Sequence, residues 1–343
     1  MLYRRFREER KKIGEEPVKN EILRALRASG GYVSGQELCE RLGVSRTAVW
    51  KNIRALQEEG YEIEAVTNRG YHLKAVPDTI AAEEVGSLLK TERMGREIRY
   101  FSRIGSTNQY AKKIAEEGAP DGTLIIADEQ TDGRGRSGRS WVTPPKEAIA
   151  FTLLLRPTLM PDRISMVTLV MGMAVVRAVN ALYDVSAGIK WPNDAVIGGK
   201  KLCGILTEMS AEIGKVHYIV IGVGINANLT AFPEEIRQTA TSLKLELGRE
   251  INRAELIARV MKEFEDLYAQ FEHDTDLRSL KDAYNALCLN AGSPVRVLDP
   301  AGEYTGVSRG INEKGELLVE TESDGVREVY AGEVSVRGIY GYV

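Results

Sequence analysis

The stretch Gly133-Arg134-Gly135-Arg136-Ser137-Gly138-Arg139, with Trp141 just beyond it, sets three arginines among three glycines. Glycine lets a backbone approach a ligand closely, and arginine brings a permanent charge on a planar fork of donors suited to phosphate or carboxylate. Such a run reads as a loop that closes over an anion. Alone it would read equally as a disordered basic segment that coats RNA. The flanks decide between the two: Thr123-Leu124-Ile125-Ile126-Ala127 precedes it and Ala148-Ile149-Ala150-Phe151-Thr152-Leu153-Leu154-Leu155 follows, both strand-like and apolar. A loop held between two buried strands is a site loop on a sheet.

Working outward, the strand Ile98-Arg99-Tyr100-Phe101 leads to Ser106-Thr107-Asn108-Gln109, which opens a helix closed by Gly118. These hydroxyls and amides serve as an N-cap or as ligand partners. Beyond the second flanking strand a long apolar helix is expected over Ile164 to Tyr183, with Met166, Met171 and Met173 as core filler. Next come Ile189-Lys190-Trp191-Pro192-Asn193-Asp194, where Lys190 ends a strand against a rigid turn, and the Gly198-Gly199 hairpin tip. The run Lys201-Leu202-Cys203-Gly204-Ile205-Leu206 comes after it. The Gly-x-Gly of Gly222-Val223-Gly224-Ile225-Asn226 lacks a third glycine and a following helix, so it is no dinucleotide fingerprint. Two helices, over about 252–272 and 276–289, precede short alternating runs broken by Asp299-Pro300, Lys314-Gly315 and Asp324-Gly325, a pattern that suits a small β-barrel.

The N-terminal part has another texture. Residues 1–16 are mixed-charge and low in apolar content, an extension with no function assigned. From Pro17, Val18, Ile22, Leu23 and Leu26 recur at helical spacing until Gly30-Gly31. Ser34 and Glu37 have capping-box spacing, a short helix runs through Leu38 and Leu42, and Ser45 caps a third helix after Gly43. At 100° per residue Val49, Ile53 and Leu56 share one side of that helix, and Thr47, Trp50, Lys51 and Arg54 the other. The residues from Arg41 to Gln57 hold four basic groups and no acidic one. Glu62-Ile63-Glu64-Ala65-Val66 and Tyr71-His72-Leu73 then flank a basic tip at Arg69. This is a winged helix-turn-helix expected to meet operator DNA through Ser45, Arg46, Thr47, Trp50, Lys51, Arg54 and Arg69. A three-helix domain for protein contact is the plainer alternative.

Composition fits both readings. Residues 1–76 carry 15 Lys or Arg against 11 Asp or Glu, whereas the whole chain is at −3, so a basic front precedes an acidic body. The 343 residues allow two or three domains. No apolar run looks long enough to cross a bilayer and no signal-peptide core opens the chain, so a cytoplasmic protein without membrane attachment is expected. Cys39, Cys203 and Cys288 are far apart, and His72, His217 and His273 lack metal-ligand spacing. A disulfide scaffold, a zinc enzyme and a Ser-His-Asp hydrolase are thereby disfavoured.

In this order the pieces resemble the bifunctional biotin–protein ligases, which also repress biotin synthesis genes. The resemblance is carried by Gly-Ser-Thr-Asn (105–108), Gly-Arg-Gly-Arg-Ser-Gly-Arg-Ser-Trp (133–141), Lys-Trp-Pro-Asn-Asp (190–194), Lys-Leu-Cys-Gly-Ile-Leu (201–206) and Gly-Val-Gly-Ile-Asn (222–226), behind a winged helix-turn-helix. It implies an α+β chain in which the extension (1–16) precedes a DNA-binding domain (17–77). A central mixed sheet with helices, like that of class II synthetases (78–290), and an SH3-like β-barrel (291–343) complete the chain. It implies biotin and ATP with Mg²⁺ as substrates, and a biotinoyl-5′-AMP intermediate. The acceptor is a lysine of the biotin carboxyl carrier protein, and a homodimer forms when adenylate is bound. Carried over by position, Ser106, Thr107 and Gln130 meet the ureido end of biotin, with Asn108 beside them. Arg134, Gly135 and Arg136 cover carboxylate and phosphate, and Lys190 touches both anions as the most rate-critical side chain. Trp141 closes on adenine, and Gly204 and Ile205 line the valeryl channel. The metal ligands are not indicated. A biotin sensor without turnover and a lipoate-type ligase are the alternatives; three cations around the site favour catalysis.

Overall fold

The computed structural model describes residues 18–299, 302–331 and 335–338, so the expected extension over 1–16 lies outside the described residues. The chain divides into two compact units between Leu89 and Lys90.

In the first unit, residues 18–29 form α1, followed by α2 (Gly35–Leu42), α3 (Arg46–Glu58), the hairpin β1 (Glu62–Val66) and β2 (Gly70–Ala75), and α4 (Ala82–Leu88). Local chemistry sets the boundaries. The Ser34 hydroxyl accepts from Glu37 N at 3.0 Å, and the Ser45 hydroxyl from Ala48 N at 3.2 Å. Gly43 ends α2 in the left-handed conformation. Ile22, Leu23, Leu26, Leu38, Val49, Ile53 and Leu56 form one buried core. At the start of β2, a Cβ on Gly70 would stand 2.1 Å from Val33 O, so only glycine lets the wing dock there. The expected boundary after Pro77 falls short of the observed division. Helix α4, which that boundary would assign to the central domain, packs with this unit: its Glu84, 1% exposed, accepts from Tyr61 Oη at 2.9 Å and pairs with Arg27. A carboxylate so deeply buried is tolerated only with such partners.

The second unit is built on a seven-stranded mixed sheet in the order β3-β4-β5-β9-β8-β7-β6. Its strands are β3 (Ile98–Phe101), β4 (Leu124–Ala127), β5 (Ile149–Leu155), β6 (Gly188–Lys190), β7 (Asp194–Ile197), β8 (Lys200–Glu212) and β9 (Lys215–Ile225). Only β3 and β4 run parallel. Helix α5 (Thr107–Glu116) lays Ala111, Ile114 and Ala115 on Ile125, Leu154 and Val220. Helix α6 (Ile164–Tyr183) packs on the long α8 (Arg253–Asp274), with the short α7 (Leu243–Leu247) before it and α9 (Lys281–Leu287) after. The expectation that no segment could span a bilayer needs correction. Pro161–Tyr183 passes by length and hydropathy, yet 72% of that window is buried inside the fold, which is what a central core helix requires. The C-terminal strands β10 (Pro294–Leu298), β11 (Tyr304–Ile311), β12 (Leu317–Thr321), β13 (Gly325–Val329) and β14 (Ser335–Gly338) form an antiparallel sheet in the order β13-β12-β11-β10-β14. Trp191, buried, fastens it by donating Nε1–H to Gly315 O at 3.0 Å.

Candidate active site

The pleat of the central sheet provides a floor. Residues 204 and 206 of β8 lie opposite 224 and 222 of β9. Three of these four are glycines. A Cβ on Gly222 would stand 2.3 Å from Asn108 Oδ1, and one on Gly224 2.3 Å from the Trp141 indole. One on Gly204 would stand 3.2 Å from Trp141 Cζ3. The missing side chains let α5 and the indole lie directly against the sheet.

Above this floor is a cavity of about 290 Å³. One wall is the N-terminus of α5. The Ser106 hydroxyl caps by position without bonding the helix, and it lines the cavity. Thr107 donates from both N and Oγ1 to Gln130 Oε1, at 2.8 and 2.9 Å. Thr152 Oγ1 lies 2.8 Å from Thr107 Oγ1 and 2.6 Å from Asn108 Oδ1. Asn108 Nδ2 donates to Glu208 Oε2 at 2.8 Å, and the other Glu208 oxygen takes Lys112 Nζ at 2.7 Å. Buried polar groups of this kind keep their geometry because breaking any link strands a partner away from water.

The other wall is the arginine loop, closed into a small hairpin. Arg134 bridges Ser140, Gly135 N donates to Arg139 O at 2.7 Å, and Trp141 N donates to Gly133 O at 2.9 Å. Arg134, Gly135, Arg136 and Trp141 all line the cavity. Arg134 pairs with Asp132 at 2.9 Å and stays half exposed. Arg136 reaches inward, donating to Asn193 Oδ1 at 2.9 Å and to Ala331 O at 3.1 Å. Burial lowers its guanidinium from the usual arginine value, with Asp194 acting in the opposite sense. A partly desolvated cation of this kind favours the approach of an anion.

Of the expected cavity residues, Ser106, Thr107, Asn108, Gln130, Arg134, Gly135, Arg136, Trp141, Gly204 and Ile205 line it together; Lys190 does not. Lys190 ends β6 opposite Asp194 and is 7% exposed. The lysine on the cavity is Lys201. Its Nζ is 2.7 Å from Asp194 Oδ1 and 5.6 Å from the centre of the Trp141 ring. The cause is a bulge. On β7 the consecutive Ala195 and Val196 oppose Cys203 and Lys201, so Leu202 is an extra residue in β8. An inserted residue reverses the alternation of side chains, which brings Lys201 to the same face as Gly204, 3.1 Å from Nζ to where a Cβ would stand there. Asn193 and Glu208 also line the cavity. Asn193 belongs to the Lys190–Asp194 run but carries no expected role there, and neither spacing nor composition singles out Glu208.

The expected DNA face lies in the first unit. Ser45, Arg46, Thr47, Trp50, Lys51, Arg54 and Arg69 are all exposed, Trp50 at 56%. Ser45 spends its hydroxyl on the α3 cap. Arg46 donates to Gln36 at 2.8 Å, Arg54 lies 5.9 Å from the Trp50 ring, and Arg69 lies 4.3 Å over Tyr32.

Comparison with known proteins bears on both units. Residues 100–226 match the biotin/lipoate A/B protein ligase family, 18–72 an HTH domain and 291–337 the biotin protein ligase C-terminal domain. The bifunctional ligase/repressor BirA of Bacillus spizizenii is 39% identical over 90% of this chain and 95% of its own length. The Escherichia coli protein of the same name is 31% identical over 92% and 96%. The biotin protein ligase from Aquifex aeolicus in complex with biotin and ATP superposes with a TM-score of 0.64 at 31% identity, covering 71% of this chain and 99% of that one.

Proposed function

We propose a residue-level course of reaction on the premise that this chain belongs to the biotin/lipoate A/B protein ligase family, among its bifunctional ligase/repressors. The chain is a biotin–protein ligase that uses ATP, and its winged helix-turn-helix makes it a DNA-binding repressor as well.

A carboxylate oxygen of biotin attacks the α-phosphorus of ATP, the bond to the bridging oxygen breaks, and diphosphate leaves. The amine of a carrier-protein lysine then attacks the acyl carbon of biotinoyl-5′-AMP, AMP leaves, and the amine proton passes to solvent. The substrate provides the nucleophile in the first step, so the protein's work is to align two anions and offset charge gathering at phosphorus. Arg134, Arg136 and Lys201 are assigned that work, with Lys201 in the role first expected of Lys190. Ser106, Thr107 and Gln130 hold the ureido group, with Asn108 fixing α5 behind them. Gly204 and Ile205 border the valeryl chain, and Trp141 is the platform for adenine. The observation carrying this assignment is that two hydroxyls, several amides, three cations and an indole Nε1–H with no hydrogen-bond partner among the described residues meet at one cavity.

Mg²⁺ enters with ATP. Among the described residues no group of three or more His, Cys, Asp or Glu side chains comes together. The donor set therefore suits an ion held chiefly by phosphate oxygens, with Asp194, beside Lys201, as the carboxylate at hand.

The acceptor is the biotin carboxyl carrier protein, and the compartment is the cytoplasm, where ATP and DNA are both at hand. Dimerisation on adenylate binding would use the sheet edge. From Leu206 onward β8 pairs with β9 on one side and has no strand on the other among the described residues. Ligand that stabilises such an association strengthens operator binding by mass action.

Labelled biotin, ATP with Mg²⁺ and a carrier domain test the enzyme reading: label should appear on one carrier lysine and be competed by biotin, not lipoate. No transfer would leave a sensor without turnover.

A further inference from the structure

Arg253 opens α8, 1% exposed, far along the chain from the arginine loop. Its Nη1 nevertheless donates to Asp128 Oδ1 at 2.6 Å and to Ala148 O at 3.1 Å. Asp128 comes directly after β4 and Ala148 directly before β5, so these are the two stems of the segment that carries Gln130, Arg134, Gly135, Arg136 and Trp141. The ladder between the strands ends at Ala127 opposite Ala150. Beyond it Asp128 Oδ1 also accepts from Lys146 N at 3.1 Å, where Lys146 adopts a left-handed φ of 63°. The next residue, Glu147, gives its carbonyl to Asn228 N at 2.6 Å. Asn228 in turn exchanges two bonds with Ile251, two residues before Arg253.

We infer that Arg253 is a positioning residue for ligase chemistry: from the N-terminus of α8 it clamps both stems of the arginine loop and sets how well that loop retains the reactive adenylate. This role presupposes that the cavity binds biotin and ATP as proposed. A buried arginine that only stabilised the fold could sit anywhere in the core. This one bonds the two points that fix the loop's base, and it does so with a single planar head. Both bonds leave one nitrogen, Nη1; lysine keeps the charge but, as a compact ammonium on a shorter flexible chain, does not hold that nitrogen rigidly between the two stems. The loop would keep its residues and lose its aim, and misplacement by about 1 Å costs on the order of a hundredfold in a catalytic step.

The test uses full-length wild type, Arg253→Lys and the milder Asp128→Ala, which removes the acceptor at 128 and leaves Arg253 its bond to Ala148 O. With labelled biotin and ATP-Mg²⁺, enzyme-bound adenylate is isolated and its escape into solution is tracked. In parallel, trypsin cleavage after Arg134, Arg136 and Arg139 is timed with and without the substrates. The expected result is adenylate escape faster by about tenfold in both variants. Trypsin protection by substrates should weaken while the biotin concentration for half-maximal adenylation changes little. The double variant should be no worse than the stronger single one, since both changes cut the same clamp. Escape and protection at wild-type levels in Asp128→Ala and Arg253→Lys would overturn the clamp, and so would strictly additive effects. If wild type itself formed no adenylate, the ligase reading would fail instead, and the two failures are thereby separate. Should Arg253→Lys not fold, Asp128→Ala decides alone.

Discussion

The two units place their working side chains by different means. On α3 the pitch of one helix suffices: Val49, Ile53 and Leu56 go into the core, and Thr47, Trp50, Lys51 and Arg54 go to solvent. In the second unit the cavity draws on the start of α5, the arginine loop, the turn after β6, β8 and β9, with contacts spanning some hundred residues. An exposed face on one element tolerates change gradually, because each residue acts almost alone. A cavity built from five segments has shared partners, and there a single change propagates.

Five substitutions put that contrast at risk. The largest effect is expected from Lys201→Ala, which removes a cation where charge develops. Adenylation measured by diphosphate release should fall by about 10²–10³-fold. Lys190→Ala should cost far less in the same assay, and the opposite ranking would return the role to Lys190. Next comes Gly224→Ala. Its methyl group would stand 2.3 Å from Trp141, forcing the indole off the floor. The KM for ATP should rise by roughly tenfold to a hundredfold, with melting temperature as the control. An unchanged KM for ATP would remove Trp141 from the adenine site. Gln130→Ala strips Thr107 of the acceptor for two donors, and a stranded buried donor costs about 1–3 kcal/mol. The KM for biotin should rise accordingly, with that for ATP barely altered. The smallest effect is expected on α3. Lys51→Ala should weaken operator binding by a few-fold and lower the slope of log affinity against log salt by about one. Carrier labelling should stay at the wild-type rate; a large loss there would show that the units do not divide the labour as described.

Much of the fold could be read without coordinates. Ser34 and Ser45 announced their caps by spacing, α6 by a long and mostly apolar stretch, and the hairpin after Ile197 by paired glycines. The loop between β4 and β5 was legible because alternating arginine and glycine between two apolar runs has few other uses. Helix α4 fell on the wrong side of the expected boundary because Pro77 looks like a break, and only the buried partners of Glu84 assign the helix to the first unit. Glu208 was invisible for another reason: a polar residue in a strand carries no mark of which way it faces. Asn193, in the turn before β7, carried no expected role because only the fold brings Arg136 and Ile205 to it.

Pattern alone settled the class of each unit and the exposed face of α3; that guanidinium groups and a lysine gather near a polar helix start was implied by the family resemblance. Which lysine that is, Lys190 or Lys201, was left to tertiary structure. Strict two-residue alternation puts Lys201 on the far side of the sheet from Gly204. The extra residue at Leu202 undoes that alternation, and such a bulge exists only through the pairing of β8 with β7, a long-range register that no local window of sequence contains.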